Sequence, residues 1–269
     1  MKTNQIFSLK RFINLIKSDL LINYKRYALM ILVMTILGYV VLYLNMPKHT
    51  YGMNSVSDFN ISKYMNLFMT FIIFSLGAWI GLSFPAFNNK NTRRNYLMSP
   101  ASTFEKYSAQ FLGRVIISTV MFLIIFWIDA QIARFTILHS VKENIPIIEK
   151  FTYSGLIERL RADTFTYWLL PLFTLALFMF VFAVRIYFKK QGLLKTIFSL
   201  ASVLLLIFIV FVVFTQFFYP EYKMFEIHTY EYNMTEKLRN GEILTIVILM
   251  FSAVMLPILG FFKLKEKEL

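Results

Sequence analysis

The residue types best suited to chemistry in this chain are three histidines, His49, His139 and His228, and their placement argues against a shared site. Each falls in a separate polar segment, with no second ligand at the spacing a metal ion needs, so structural or solvent-facing roles are expected. The motif record is equally bare. There is no His-Glu-x-x-His for zinc hydrolysis, no Gly-x-Ser-x-Gly nucleophile turn and no Gly-Lys-Ser/Thr phosphate loop. Cysteine is absent, so neither a disulfide nor a thiolate metal site can form and the redox compartment stays open. The chain reads as non-catalytic, with no cofactor of its own; any ATP and Mg used in its work would sit on a partner subunit. Two polar features remain. One is Asp129, at the edge of an apolar run. The other is the stretch Ser99-Pro-Ala-Ser-Thr-Phe-Glu105, which is built from helix-starting residues.

These features need elements to hold them, and the elements are membrane spans. The chain has 269 residues, of which 58% are apolar and 16% charged, against roughly 25% charged in a soluble domain. About 20 apolar residues in a helix cross the hydrocarbon core. Runs free of charge extend over 27–47, 64–89, 167–184, 196–220 and 243–262. A sixth, 115–128, lies between Arg114 and Asp129, and is expected to span if both charges reach out to the interfaces from the helix ends. The first run starts after residue 26 with no small-x-small cleavage site, so it is read as a retained span. The fold class is therefore an all-α membrane protein with six transmembrane helices in one domain, residues 27–269.

Charge gives an orientation. The N-terminal stretch, the 85–114 region, the 185–195 loop and the C-terminal tail together hold 18 of the 28 Lys and Arg and four of the 15 acids. The alternating segments at 47–63, 129–166 and 220–242 hold the remaining ten basic and 11 acidic residues. Lys and Arg favour cytoplasmic loops, so both termini and the 85–110 loop are expected inside. The net charge of +13 is then a topology signal and calls for no nucleic-acid partner.

Within 1–26, Leu9, Phe12, Ile13, Ile16 and Leu20 fall on one helical face. That spacing suits a helix lying in the cytoplasmic interface and leading into the first span, although an ordinary juxtamembrane basic segment has similar composition. Gly77 and Gly81, four apart in the second span, would let another helix approach, either within the chain or from a second subunit. Outside, 134–166 carries Leu156, Ile157 and Leu160 among charges, as a short amphipathic helix would, and 220–242 is acidic and tyrosine-rich. If Arg114, Asp129 and Arg185 all stand at helix ends, mid-membrane holds no ionisable group except tyrosine, which weighs against an ion-coupled carrier. Asp129 is the residue able to overturn that, as an outer gate or substrate contact.

The 85–110 loop offers two helix starts. Ser99 before Pro100 fits an N-cap with proline at the first helical position, and Ser102 with Glu105 fits a capping box. A capped helix projecting from a loop is a good lever, because a partner pressing on it moves two spans.

Tyr96-Leu-Met-Ser-Pro-Ala-Ser-Thr-Phe-Glu-Lys106 resembles the Leu-x-x-Pro-Ala-Ser-x-x-Glu-Lys loop of a branch of ABC-2-type transporter permeases, in which the loop also follows the second span. The N-terminal amphipathic helix, the six spans and the ending Phe262-Lys-Leu-Lys-Glu-Lys-Glu268 are similar too. Met98-Ser-Pro stands where that branch often has a Leu-Pro type sequence, a change that leaves the cap intact. The resemblance implies a pair of six-span subunits, identical or not, in a bacterial cytoplasmic membrane. Each would meet a cytoplasmic ATPase through the interfacial helix and a coupling loop containing Arg93, Arg94, Ser99, Pro100, Ala101, Ser102, Glu105 and Lys106. It also implies an exporter, whose cargo the low intramembrane charge suggests to be hydrophobic or amphipathic. A non-transporting scaffold or sensor is the competing reading. A lipid-modifying enzyme lacks a reactive constellation.

Overall fold

A computed structural model describes residues 7–47, 59–140, 148–188, 191–218 and 240–268. His49, His228, most of the acidic 220–242 segment and the start of the 1–26 stretch lie outside these residues. The described chain is helical, and its extended pairing is the parallel bridge between Phe59 and Ile148. Six helices are long and apolar enough to cross a membrane. The protein is an all-α, multi-pass membrane protein.

The chain forms two compact units. Met1–Ile80 and Pro100–Asp163 make the first, and Gly81–Ser99 with Thr164–Leu269 the second.

In the first unit, α1 (Leu9–Asn45) is a single helix of 37 residues. The separate interfacial helix expected before the first span is not distinct from it, because no glycine or proline occurs between Leu9 and Leu37 to turn the chain. At 1.5 Å per residue α1 is about 55 Å long. It packs along α4 (Thr103–Phe111) and α5 (Ser118–Ser140), which a π-helical segment, Leu112–Ile117, joins into one 38-residue element. The third span is thus far longer than the 115–128 run. α2 (Ile61–Gly81) completes the unit's spans, and it stops at Gly81 well short of residue 89, with Pro85 beginning a separate 3-10 turn.

The end of this unit where α2 begins is closed by aromatic packing. Phe68 meets Phe126 at 5.0 Å between ring centroids, Phe126 meets Phe151 at 5.2 Å, and Tyr64 meets Phe151 at 5.3 Å. Glu149 caps α2, its carboxylate accepting the Ile61 N–H at 2.9 Å. Gln131 and Arg134 donate to the carbonyls of Phe151 and Ile148, each at 3.0 Å. α6 (Tyr153–Arg161) is the short amphipathic helix expected here. It buries Leu156 and Leu160, while Ile157 faces out.

In the second unit α3 (Lys90–Leu97) follows the 3-10 turn at Pro85–Asn88, and α7 (Thr164–Arg185) packs along α9 (Asn240–Glu268) and α8 (Gly192–Phe218). α8 leaves Leu205, Leu206 and Phe208 exposed, as suits a surface facing hydrocarbon.

Candidate functional site

The start of α4 decides between the two expected helix caps. Ser102 is the N-cap: its hydroxyl accepts the Glu105 N–H at 3.2 Å, and the Glu105 carboxylate accepts the Ser102 N–H at 2.9 Å, a complete capping box. Ser99 instead turns its hydroxyl onto the Tyr96 carbonyl at 2.8 Å, closing the end of α3.

The second oxygen of Glu105 reaches α1. It accepts the backbone N–H of Ser8, the residue preceding α1, at 2.5 Å, and the Arg11 guanidinium at 3.1 Å. One carboxylate therefore satisfies the N-cap amides of two helices, reaching back 97 residues in sequence from Glu105 to Ser8. Its side chain is fully buried, whereas that of Arg11 is 40% exposed. Phe7 and Phe104 pack edge to face beside it at 6.3 Å. The result is a rigid corner between two long helices, with the flanking loop residues Met98 and Pro100 exposed.

Of the other expected coupling residues, Ala101 is half-buried and Lys106 is buried on α4, while Arg93 and Arg94 lie on α3 in the second unit, Arg94 exposed. The residues from Pro100 to Lys106 are brought together; the arginine pair belongs to a different packing unit.

Behind the corner, α1 and the α4 element share a partly buried polar ladder that the sequence reading did not find. Gln110 donates to Asp19 at 3.4 Å, Asn23 donates to the same carboxylate at 3.0 Å, and the Tyr27 hydroxyl donates to its other oxygen. Arg114, 3% exposed, lies over the Tyr27 ring at 4.6 Å, held by the π segment, with its Nε unpaired. Widened turns of this kind recur at functional positions in helices.

Asp129 corrects the expectation for the third span. The helix runs on to Ser140, so Asp129 lies 11 residues inside it and is 1% exposed; neither it nor Arg114 reaches out from a helix end. Both carboxylate oxygens of Asp129 lack a hydrogen-bond partner. Its neighbour is Gly38 of α1: a Cβ added there would lie 2.3 Å from Oδ2 and 3.1 Å from the Phe71 ring. The interior of the protein therefore does hold an ionisable group.

Arg185 does end its helix, as expected, but it is buried, donating to Asn88 Oδ1 at 2.7 Å and to the Phe188 carbonyl at 2.9 Å. Gly192 packs flat on its guanidinium, where a Cβ would fall 2.0 Å from Cζ.

The glycine pair of the second span does not act as one face within the chain. Gly81 lies against Leu193 and Val181, a Cβ there standing 3.5 Å from Leu193, whereas Gly77 borders open space. The close approach lies at Gly38. Among the described residues no group of three or more metal-ligating side chains occurs; His139 bonds the Phe135 carbonyl one turn back at 3.0 Å.

An all-α, six-span architecture with a capped corner and a buried carboxylate defines a multi-pass membrane protein. Compared with known protein families, with curated proteins and with solved structures, the chain matches none.

Proposed function

We propose that the chain is the membrane-embedded, non-catalytic subunit of an ATP-driven exporter, working as a pair of such subunits in a bacterial cytoplasmic membrane. The Ser102–Lys106 corner receives the push of a cytoplasmic ATPase that binds ATP and Mg. The observation that carries this reading is the Glu105 carboxylate, which ties the start of α4 to the start of α1. Force on the exposed Met98–Pro100 edge passes into two spans at once, because one buried carboxylate bonds the starts of both helices. The charge bias supports a cytoplasmic position for this corner. The cargo in this reading is hydrophobic or amphipathic, as the small number of charged side chains within the spans, Arg114 and Asp129 among them, suggests.

The test is co-purification from the native membrane. Wild-type protein brings down an ATPase with a phosphate loop, and Met98→Asp with Pro100→Asp, both at exposed positions outside the corner's bonds, loses it. Equal recovery with both proteins, or no ATPase with the wild type, ends this reading.

Asp129 favours a second reading, an ion-coupled carrier, since a carboxylate held inside a bundle without a partner is the usual means of coupling transport to a cation. In vesicles, transport driven by an imposed cation gradient without ATP, and abolished by Asp129→Asn, would establish the carrier over the exporter.

A further inference from the structure

Just before its apolar run, α1 sorts its side chains by helical row, since positions four apart share a face. The row of Asp19, Asn23 and Tyr27 turns inward, where the Asp19 carboxylate accepts from Asn23, Tyr27 and Gln110. The two rows beside it turn outward. Lys17, Leu21 and Lys25 form one, Ile22 and Arg26 the other, and all five are exposed, Leu21 and Ile22 to 75% and 76%. Asp19 is the only acid of α1 and Glu105 the only acid of α4, and both are used internally. Among the described residues Lys17, Lys25 and Arg26 have no carboxylate partner. The outer face of this stretch is therefore cationic and apolar at once, with nothing to balance its charge.

Its depth in the membrane follows from α2. That helix has 21 residues, about 31 Å, which matches one hydrocarbon core. Near its end Trp79 stacks on Tyr27 at 5.9 Å between ring centroids, so Tyr27 marks the edge of the apolar layer. Residues 17–26 are about 14 Å of helix directly beyond that edge, and a headgroup layer is roughly 5–7 Å deep. Helical side chains lean toward the N-terminus, so Lys25 and Arg26 reach back from the edge into the headgroups, toward Lys17. Leu21 and Ile22 lie between these cations, where the glycerol and first acyl carbons of a lipid would meet them. A folded protein with an acidic surface reaches this depth only by displacing the headgroups that surround the spans.

We propose that the Lys17–Arg26 face of α1 binds the phosphate of an anionic phospholipid in preference to zwitterionic lipid. The preference comes from the inward turn of Asp19, which leaves no acid on the face to receive the ammonium of a zwitterionic headgroup. It holds whether or not an ATPase drives the chain.

The chain has no cysteine, so Leu21→Cys carries a single bimane label on this face. The labelled full chain is placed in phosphatidylcholine vesicles containing a little phosphatidylglycerol or phosphatidylcholine with a nitroxide high on the acyl chain. At equal content the phosphatidylglycerol is expected to quench as though enriched roughly fivefold, the factor one basic residue near the surface contributes. Lys17→Gln with Lys25→Gln and Arg26→Gln abolishes the difference. Lys150→Gln with Lys195→Gln and Lys265→Gln, an equal loss of charge elsewhere, leaves it in place. Equal quenching by the two lipids in the parent overturns the proposal, as does a preference that survives the first set of substitutions or is lost equally in the second. A label quenched by neither lipid but reached by iodide from the water puts the face outside the bilayer, open to an acidic protein, and overturns it too.

Discussion

Gly38 presses its backbone against the carboxylate of Asp129, so closely that a methyl group at residue 38 would stand 2.3 Å from Oδ2. Helices α1 and α5 touch through a glycine and an unpaired acid, a pairing with consequences for both residues. Gly38→Ala is expected to destabilise the protein by about 1–3 kcal/mol, the usual cost of overfilling a packed interior. Asp129→Ala in that background restores most of the loss, since it removes the obstructing oxygen. Thermal unfolding of the two single variants and the double variant in detergent checks this; independent, additive effects would contradict the contact.

Asp129 also has an effect of its own. A buried group with two unmatched acceptors burdens the fold, so Asp129→Leu is expected to raise stability by about 1–4 kcal/mol. Asp129→Asn, which still needs partners, gains less. If Asp129→Leu instead lowers the unfolding temperature, the carboxylate has a partner that the bundle acquires in the membrane.

At the corner, Glu105 and Arg11 are bonded but unequal. Glu105→Ala removes the acceptor from the amides of Ser8 and Ser102, and is expected to cost about 1–4 kcal/mol, the loss of two helix caps. Arg11→Ala costs under about 1 kcal/mol, because Arg11 is exposed to solvent and Glu105 keeps its two amide donors. Chemical unfolding of the two variants measures the asymmetry, and similar losses would show that the ion pair, rather than the double cap, holds the corner.

In the second unit the arginine at the end of α7 makes a geometric prediction. Arg185 bonds in two directions, to Asn88 and to the Phe188 carbonyl. Arg185→Lys keeps the charge but lacks the planar fork and the flat face on which Gly192 rests, so it is expected to recover less than half of the stability lost in Arg185→Ala. Gly192→Ala is expected to be as harmful as Arg185→Ala. Differential scanning of the three variants decides.

Five spans were legible from charge-free runs alone, because hydrocarbon tolerates few alternatives to an uninterrupted apolar helix, and the sixth was found from a run too short to cross by itself. The depth of the charges was not legible. The helix starting between 99 and 103 was expected to run on through Glu105 into the third span, as it does, but Arg114 and Asp129 were still treated as ends of the apolar run. Taken with the absence of proline from Thr103 to Ser140, that start implied a 38-residue helix with both charges inside. The same capping residues were recognised, yet their pairing with Ser8 and Arg11 was invisible, since nothing in a sequence links positions 97 apart. Gly38 went unnoticed for a related reason. A lone glycine in an apolar run carries no periodic signal, whereas Gly77 and Gly81 formed a familiar motif, and among the described residues nothing comes within 4 Å of a Cβ placed at Gly77.

The unbroken course of α1 touches the 38-residue element at two widely separated places. Its first turn is fastened at Glu105 and its face at Gly38 bears on Asp129, roughly 44 Å further along at helical rise. A stiff rod pinned near one end pivots: a tilt of a few degrees at the fastened corner becomes a displacement of a few ångströms at the glycine. Any partner that tips the corner thereby loosens or tightens the space around the buried acid, at a distance no direct contact could span.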